Sequence, residues 1–342
     1  MTEVSKPLPL FRLPAIPLTK ISRYMNLQEI LLVSLTSKKS AFIMRSLLPT
    51  NRFFLNIKIS EESNIFLGVK GPWAPVIVKG EKTEDVFELQ IAQHNGDVIH
   101  RWTSLDLEAI VKSLLSHFAL VFNPSISIHF EEVFSEEFMM GVMDHVKQLN
   151  LVKKSIKLSS FPMSSENYRY ILDECRAVSE LWLFCKVESD FEYRAGPDFR
   201  IDYLHVSDGH WMHLDDFSNC KKVKVFDRSE HKQPKYANLE VPRALIRKWI
   251  ESEGRLENLE VHGGRGGINQ RKVYFEMNET PGCFKATSIP YTFDFKLMFK
   301  GLELRTTEQT VNSHSVEIIR RCDGKKATVT CGWNYFELKV ID

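Results

Sequence analysis

One pattern, apolar-x-x-apolar-x-apolar, recurs four times and restricts what this chain can fold into. It reads Val178-x-x-Leu181-x-Leu183, Ile201-x-x-Leu204-x-Val206, Cys220-x-x-Val223-x-Val225 and Leu256-x-x-Leu259-x-Val261. The last two apolar positions of each copy alternate with other residues, as a strand with one buried face requires. Successive copies start 23, 19 and 36 residues apart, and leucine-rich repeats have periods of about 20 to 29. A degenerate earlier copy ends in Ile156 and Leu158, with Lys153 at the first apolar position. Helical spacing falls between the copies. Ser164 or Ser165 can cap a helix carrying Tyr168, Ile171, Leu172 and Cys175. Val241 to Ile250 has Pro242 near its first turn, apolar pairs Leu245/Trp249 and Ile246/Ile250, and Gly254 as a terminator. Strands alternating with helices predict a parallel α/β stack in which each unit buries its apolar face on the next.

The flanks predict β structure of another kind. Strand-like runs span Phe53 to Ile59, Val76 to Val78 and Phe87 to Ile91, and Asn95-Gly96 is a hairpin turn signal. Val316 to Cys322, Asp323-Gly324 and Ala327 to Thr330 form a second hairpin, and Tyr335 to Val340 a last strand. Ser135 opens an amphipathic helix carrying Phe138, Val142, Val146 and Leu149. The expected class is therefore α+β / α/β.

The amino terminus is different again. Pro7, Pro9 and Pro14 keep the chain extended. Pro17 suits a first helical position, and Leu18, Ile21 and Met25 then share one helix face. Asn26 with Glu29 makes a capping box for a second helix presenting Leu27, Ile30, Leu31 and Leu35. Ser37 can cap a third helix, which Pro49 stops. A unit this small buries too little to stand alone. Its surplus apolar surface must pack on the rest of the chain or on another protein.

Leu13-Pro14 followed by these three helices, with Met25, Leu27 and the Ser37-Lys38-Lys39 run, resembles the divergent F-box of the large nematode F-box families. The stretch from Leu204 to Trp211, then Leu214 to Cys220 and Trp249-Ile250, resembles the type 2 F-box-associated domain. Two positions depart from the general F-box pattern: Ala15 stands where an acidic residue is common, and Ser40 where a tryptophan is common. The resemblance implies four segments: an F-box at 7–50, a β-rich linking region at 51–125, an associated domain with leucine-rich-like α/β repeats at 126–270, and a C-terminal β-rich region at 271–342.

It also implies a function without catalysis by this chain. The F-box would bind a Skp-type adaptor bridging to a cullin, and the C-terminal region would hold a target protein. Proximity to a charged conjugating enzyme would raise the effective concentration of a target lysine. The expected adaptor contacts are Leu10, Leu13, Pro14, Ile16, Ile21, Met25, Leu27, Ile30, Leu31 and Leu35, acting by apolar burial. The alternative is an interaction scaffold independent of ubiquitin ligation, with the N-terminal helices as a structural cap.

Composition narrows the remaining classes. A net charge of +1 gives no electrostatic footprint for nucleic acid or an acidic membrane. Apolar runs such as Ile30 to Val33 are far short of the ~20 residues that span a bilayer. Six cysteines at irregular spacing, none in a Cys-x-x-Cys pair, read as reduced thiols in the cytoplasm or nucleus. Gly263 to Gly267 lacks the Lys-Ser/Thr of a phosphate loop and reads as a turn. His210, His213 and Cys220 lack a fourth zinc ligand. Glu131, Glu132, Glu136 and Glu137 sit at a helix start, where acids complement the dipole. No cofactor is expected. Trp211 and Trp249 are expected in the core, and Trp182 and Trp333 read as either core or binding face.

Overall fold

The computed structural model describes residues 10–49, 52–59, 64–69, 76–83, 86–92, 98–131, 135–227, 240–251, 253–263, 305–310, 313–332 and 335–341. They form two compact units, Met1–Ser155 and Ile156–Asp342. Helices and a mixed sheet make up both, as the α+β / α/β class requires.

In the first unit a 3-10 turn, Leu10–Arg12, precedes α1 (Ala15–Tyr24), α2 (Leu27–Leu35) and α3 (Lys38–Leu47). Asn26 and Glu29 form the capping box in full: the Asn26 side chain accepts from the Glu29 N–H and the Glu29 carboxylate from the Asn26 N–H, each at 2.8 Å. Ser37 Oγ accepts from the Ser40 N–H at 3.0 Å and caps α3, which ends before Pro49. The first helix begins earlier than the Pro17 start expected. Pro14 is its N-cap, and Pro17 sits in the first turn, where its missing N–H still costs nothing.

The strands β1 (Phe53–Ile59), β2 (Asn64–Val69), β3 (Val76–Thr83), β4 (Val86–Ala92) and β5 (Val98–Ser104) run as an antiparallel meander. The β4–β5 hairpin is as expected, although Asn95-Gly96 lies outside the described residues. β6 (Ser125–Phe130) then returns parallel to β1 on its other side. Between β5 and β6 runs α4 (Leu107–Phe122), a helix within the stretch 51–125 expected to be β-rich. Asp106 caps it, and Asn123 closes it in the left-handed region at φ 45°, which asparagine tolerates better than most residues. Eight apolar side chains of α4 are buried, each worth about 1.5–3 kcal/mol when fully removed from water. Phe122 meets Phe53 of β1 edge to face at 5.2 Å. On α4, His117 Nε2 lies 2.8 Å from Ser34 Oγ of α2, and the Ala119 carbonyl accepts from the Arg45 guanidinium of α3 at 3.1 Å. The amino-terminal helices are thus seated on the core of their own unit. α5 (Glu136–Gln148) follows, capped by Ser135. That cap and Glu137's own backbone hold the Glu137 carboxyl below its usual range.

β7 (Lys153–Leu158) begins at the end of the first unit. In the second unit come α6 (Ser165–Glu174), capped by Ser164, then β8 (Glu180–Leu183), β9 (Tyr203–Val206), β10 (Lys222–Asp227), α7 (Glu240–Glu251) and β11 (Asn258–Gly263). β8, β9, β10 and β11 are parallel neighbours in chain order. The four copies of the sequence pattern stand in register: Leu181, Leu204, Val223 and Leu259 pair across the strands, as do Leu183, Val206, Val225 and Val261. All eight are buried, with Val178, Ile201, Cys220 and Leu256 behind them. Helices do not fill every crossover, which corrects the simplest α/β expectation. Among the described residues α6 lies between β7 and β8 and α7 between β10 and β11, while the connection between β9 and β10 holds a 3-10 turn, Leu214–Phe217.

The remaining strands are β12 (Arg305–Thr310), β13 (Ser313–Ile319), β14 (Lys326–Gly332) and β15 (Tyr335–Ile341), an antiparallel run whose last member pairs with β11. The β13–β14 hairpin turns through Gly324 at φ +72°. Arg320, buried at its base, donates to both Asp323 carboxylate oxygens and to the Gly254 carbonyl, and its guanidinium lies 5.3 Å from the Trp249 ring. Arg320 holds the Asp323 carboxyl far below the ordinary Asp value of 3.8. A depressed carboxylate contributes stability that is complete above its unfolded value and lost as pH falls through the folded one. Asp323→Asn should therefore flatten acid destabilisation of this hairpin below pH ~4, read by hydrogen exchange of β13 and β14, and leave stability near neutrality lower.

Candidate functional sites

The first unit presents an apolar groove of about 610 Å³ lined by Leu10, Ile21, Tyr24, Met25, Glu29, Leu32 and Val33. The 3-10 turn supplies Leu10, α1 supplies Ile21 and Tyr24, and α2 supplies the last three. Tyr24 is 90% exposed, Ile16 74% and Phe42 of α3 60%. Of these only Tyr24 lines the groove, and exposed apolar surface beside a groove marks a surface built for contact.

The ten residues singled out as adaptor contacts divide. Leu10, Ile21 and Met25 line the groove, Pro14 and Ile16 are exposed, and Leu13 and Leu35 are half-buried. Leu27, Ile30 and Leu31, three of the expected adaptor contacts, are 0% exposed in the chain by itself. Those three belong to the unit's own core, where α2 and α3 pack together above α4. Tyr24, Leu32, Val33 and Phe42 were not singled out. Their signal was their position on the face opposite the buried one. Ser40 is buried, with its hydroxyl 2.7 Å from Ser37 Oγ and 2.8 Å from Thr36 Oγ1. No space for a tryptophan exists there.

The second unit has a face of another character. On β8 to β11 and β15 the residues between the buried Leu and Val positions include Trp182, Tyr203, His205, Lys224, Phe226, Glu260, His262 and Tyr335, all half-buried. Lys224 pairs with Glu260 at 2.9 Å, and His262 lies 3.6 Å from the same carboxylate. Burial pushes His262 below the usual histidine value, against the pull of Glu260.

The other candidates resolve structurally. Trp211 and Trp249 are in the core, as expected. Trp333 and the glycine run after Gly263 lie outside the described residues. His210 Nδ1 is 3.0 Å from Asp208 and its Nε2 3.1 Å from the Glu188 carbonyl. Cys175, Cys185, Cys220 and Cys322 are in no disulfide, and burial pushes Cys220 up to about 12. A polar cavity of about 270 Å³ lies beside Arg320 and Arg255, whose guanidinium groups are held by Asp323 and Asp202. Among the described residues no helix is long and apolar enough to cross a membrane.

These features define an α/β protein with an apolar helical groove in one unit and a ring-lined sheet face in the other. Among curated proteins it is similar to the Skn-1 dependent zygotic transcript 15 protein of Caenorhabditis elegans, 24% identical over 274 residues that cover 72% of this chain and 76% of that protein. No protein-family model matches the chain. No solved structure matches it.

Proposed function

We propose that this chain is the substrate-recognition subunit of a Skp–cullin–F-box ubiquitin ligase. The N-terminal helices dock on a Skp-type adaptor, and the C-terminal region, an irregular leucine-rich-like array, holds the target. The observation that carries this reading is the apolar groove lined by the exposed Tyr24, with the exposed Ile16 on the same helix. It lies on the helices whose Leu13-Pro14, capping box and Ser37 cap resemble an F-box. The similarity to a nematode protein agrees with a resemblance drawn to nematode F-box families. Ubiquitin transfer in such an assembly is performed by partners, and this chain contributes position.

Retention of the purified chain on an immobilised Skp-type adaptor tests the reading. Ile16→Asp with Tyr24→Asp should weaken retention by about tenfold or more, because buried aromatic anchors dominate interfaces. Both sites are exposed, so folding should be unchanged. Absent retention of the wild-type chain, or equal retention of the double variant, would overturn the proposal. The scaffold reading keeps one favourable observation: α2 and α3 are built into the core of their unit, as a structural cap would be. It expects target binding that is indifferent to the adaptor.

A further inference from the structure

The outward side chains of the second unit form a continuous row of rings. Trp182 and Phe184 lie 5.0 and 4.9 Å from His205, His205 lies 5.5 Å from Phe226 at 26°, and Phe226 lies 4.7 Å from His262 at 13°. Tyr335 continues the row 6.4 Å from His262. The row therefore crosses β8, β9, β10, β11 and β15 in their pairing order. Its central spacings are close to the ~4.8 Å between neighbouring strands. His205, Phe226 and His262, nearly parallel and close to that spacing, cover one another's faces, so the surface they keep uncovered is ring edge. A ring edge carries partial positive charge. Cations border the row as well. Lys157 lies 5.9 Å from the Trp182 ring and 5.7 Å from the Phe184 ring, and Lys224 lies 5.6 Å from Phe226. Lys224 is already paired with Glu260 and Glu180 accepts from Trp182 Nε1 at 3.4 Å, so the cation offered to an incoming carboxylate is Lys157.

A cross-strand pair or two would be ordinary sheet stabilisation. A ring row spanning five strands, half-buried and edged by lysines, is more than sheet stability asks for. We propose that this row docks an extended acidic segment of a partner protein. Carboxylates meet Lys157 and the ring edges, and the segment's apolar side chains lie on the rings. Single-stranded nucleic acid is the poorer match, because bases stack on open ring faces and here the central faces are covered by neighbouring rings. The identification of that partner as a ligase target rests on the reading given above; the binding itself does not.

Selection of a phage-displayed random-peptide library on the full chain, with no adaptor present, tests the proposal. Enriched peptides should be acidic with interspersed apolar residues. Their Kd should rise about tenfold for Lys157→Glu, which corresponds to ~1.4 kcal/mol, and less for Lys157→Met, which keeps the packing and removes the charge. Neutral or basic enriched peptides, or equal binding by wild type and Lys157→Glu, would overturn it. So would displacement of the peptides by an equimolar pool of random single-stranded RNA. Failure of adaptor retention leaves this result untouched, so the two proposals fail separately.

Discussion

Trp211→Ala should destabilise the Ile156–Asp342 unit by about 3–5 kcal/mol, the cost of deleting a large aromatic side chain from a packed core. Trp211 is the hub of a ring cluster. Tyr168, Phe191, Tyr193 and Phe217 surround it edge to face, with centroids 5.4 to 6.1 Å away. Those rings come from α6, from the irregular stretch between β8 and β9, and from the 3-10 turn before β10. None of these segments is held by a helix between β8 and β9, so the cluster does the packing that a crossover helix would do. Whole-domain stabilities are about 5–15 kcal/mol, and the loss is a large share. Faster hydrogen exchange across β9 and β10 is the expected readout. Trp182→Ala, on the half-buried outward face, is the control and should cost about 1 kcal/mol or less, as cross-strand pairs do. Equal effects at the two positions would mean that Trp211 is not the hub described.

The same contrast shows how far the residues alone reach. Strand order and register in the second unit were legible, because the copies at Val178, Ile201, Cys220 and Leu256 each carry two alternating apolar positions that must face one core. The helix caps at Asn26, Ser37, Ser135 and Ser164 were legible for a local reason: each side chain satisfies an N–H only two or three residues away. α4 was missed although its apolar residues repeat at helical spacing from Leu107. Neighbouring strand signals dominate that region, and a helix that serves as floor for others looks locally like any amphipathic segment. The pairing of β15 with β11 was out of reach, since nothing near Tyr335 specifies a partner some eighty positions earlier.

The candidate sites were legible only in part. Periodicity marks which positions of a helix are apolar, but not which of two neighbours takes them. On α2 the buried set is Leu27, Ile30, Leu31 and Ser34, while Leu32 and Val33 turn to the groove. An almost continuous apolar run leaves that rotation undetermined, and contact with α3 and α4 decides it. The ring row was hidden for a related reason. Trp182 and His205 occupy unconstrained positions of the repeat, Phe184, Phe226 and His262 follow its last position and Tyr335 lies outside it, so they align only once the register is known.

Leu31→Asp should unfold most of the Met1–Ser155 unit. Leu31 has no exposure, so its replacement removes about 1.5–3 kcal/mol of apolar burial. It also places a carboxylate in the apolar core, at an effective cost of several kcal/mol more. Together these approach the whole stability of a domain. Ile16→Asp and Tyr24→Asp should each change stability by no more than about 0.5 kcal/mol, because both side chains already stand in water. Limited proteolysis read by mass spectrometry separates the cases: early cleavage across α2, α3 and α4 for Leu31→Asp, and the wild-type pattern for the other two. Lost adaptor retention by Leu31→Asp would accordingly say nothing about docking, whereas the same loss by the exposed pair would locate the contact. A protease-resistant Leu31→Asp chain would show that α2 is not seated on α4, and the division of its residues into core and groove would fall with it.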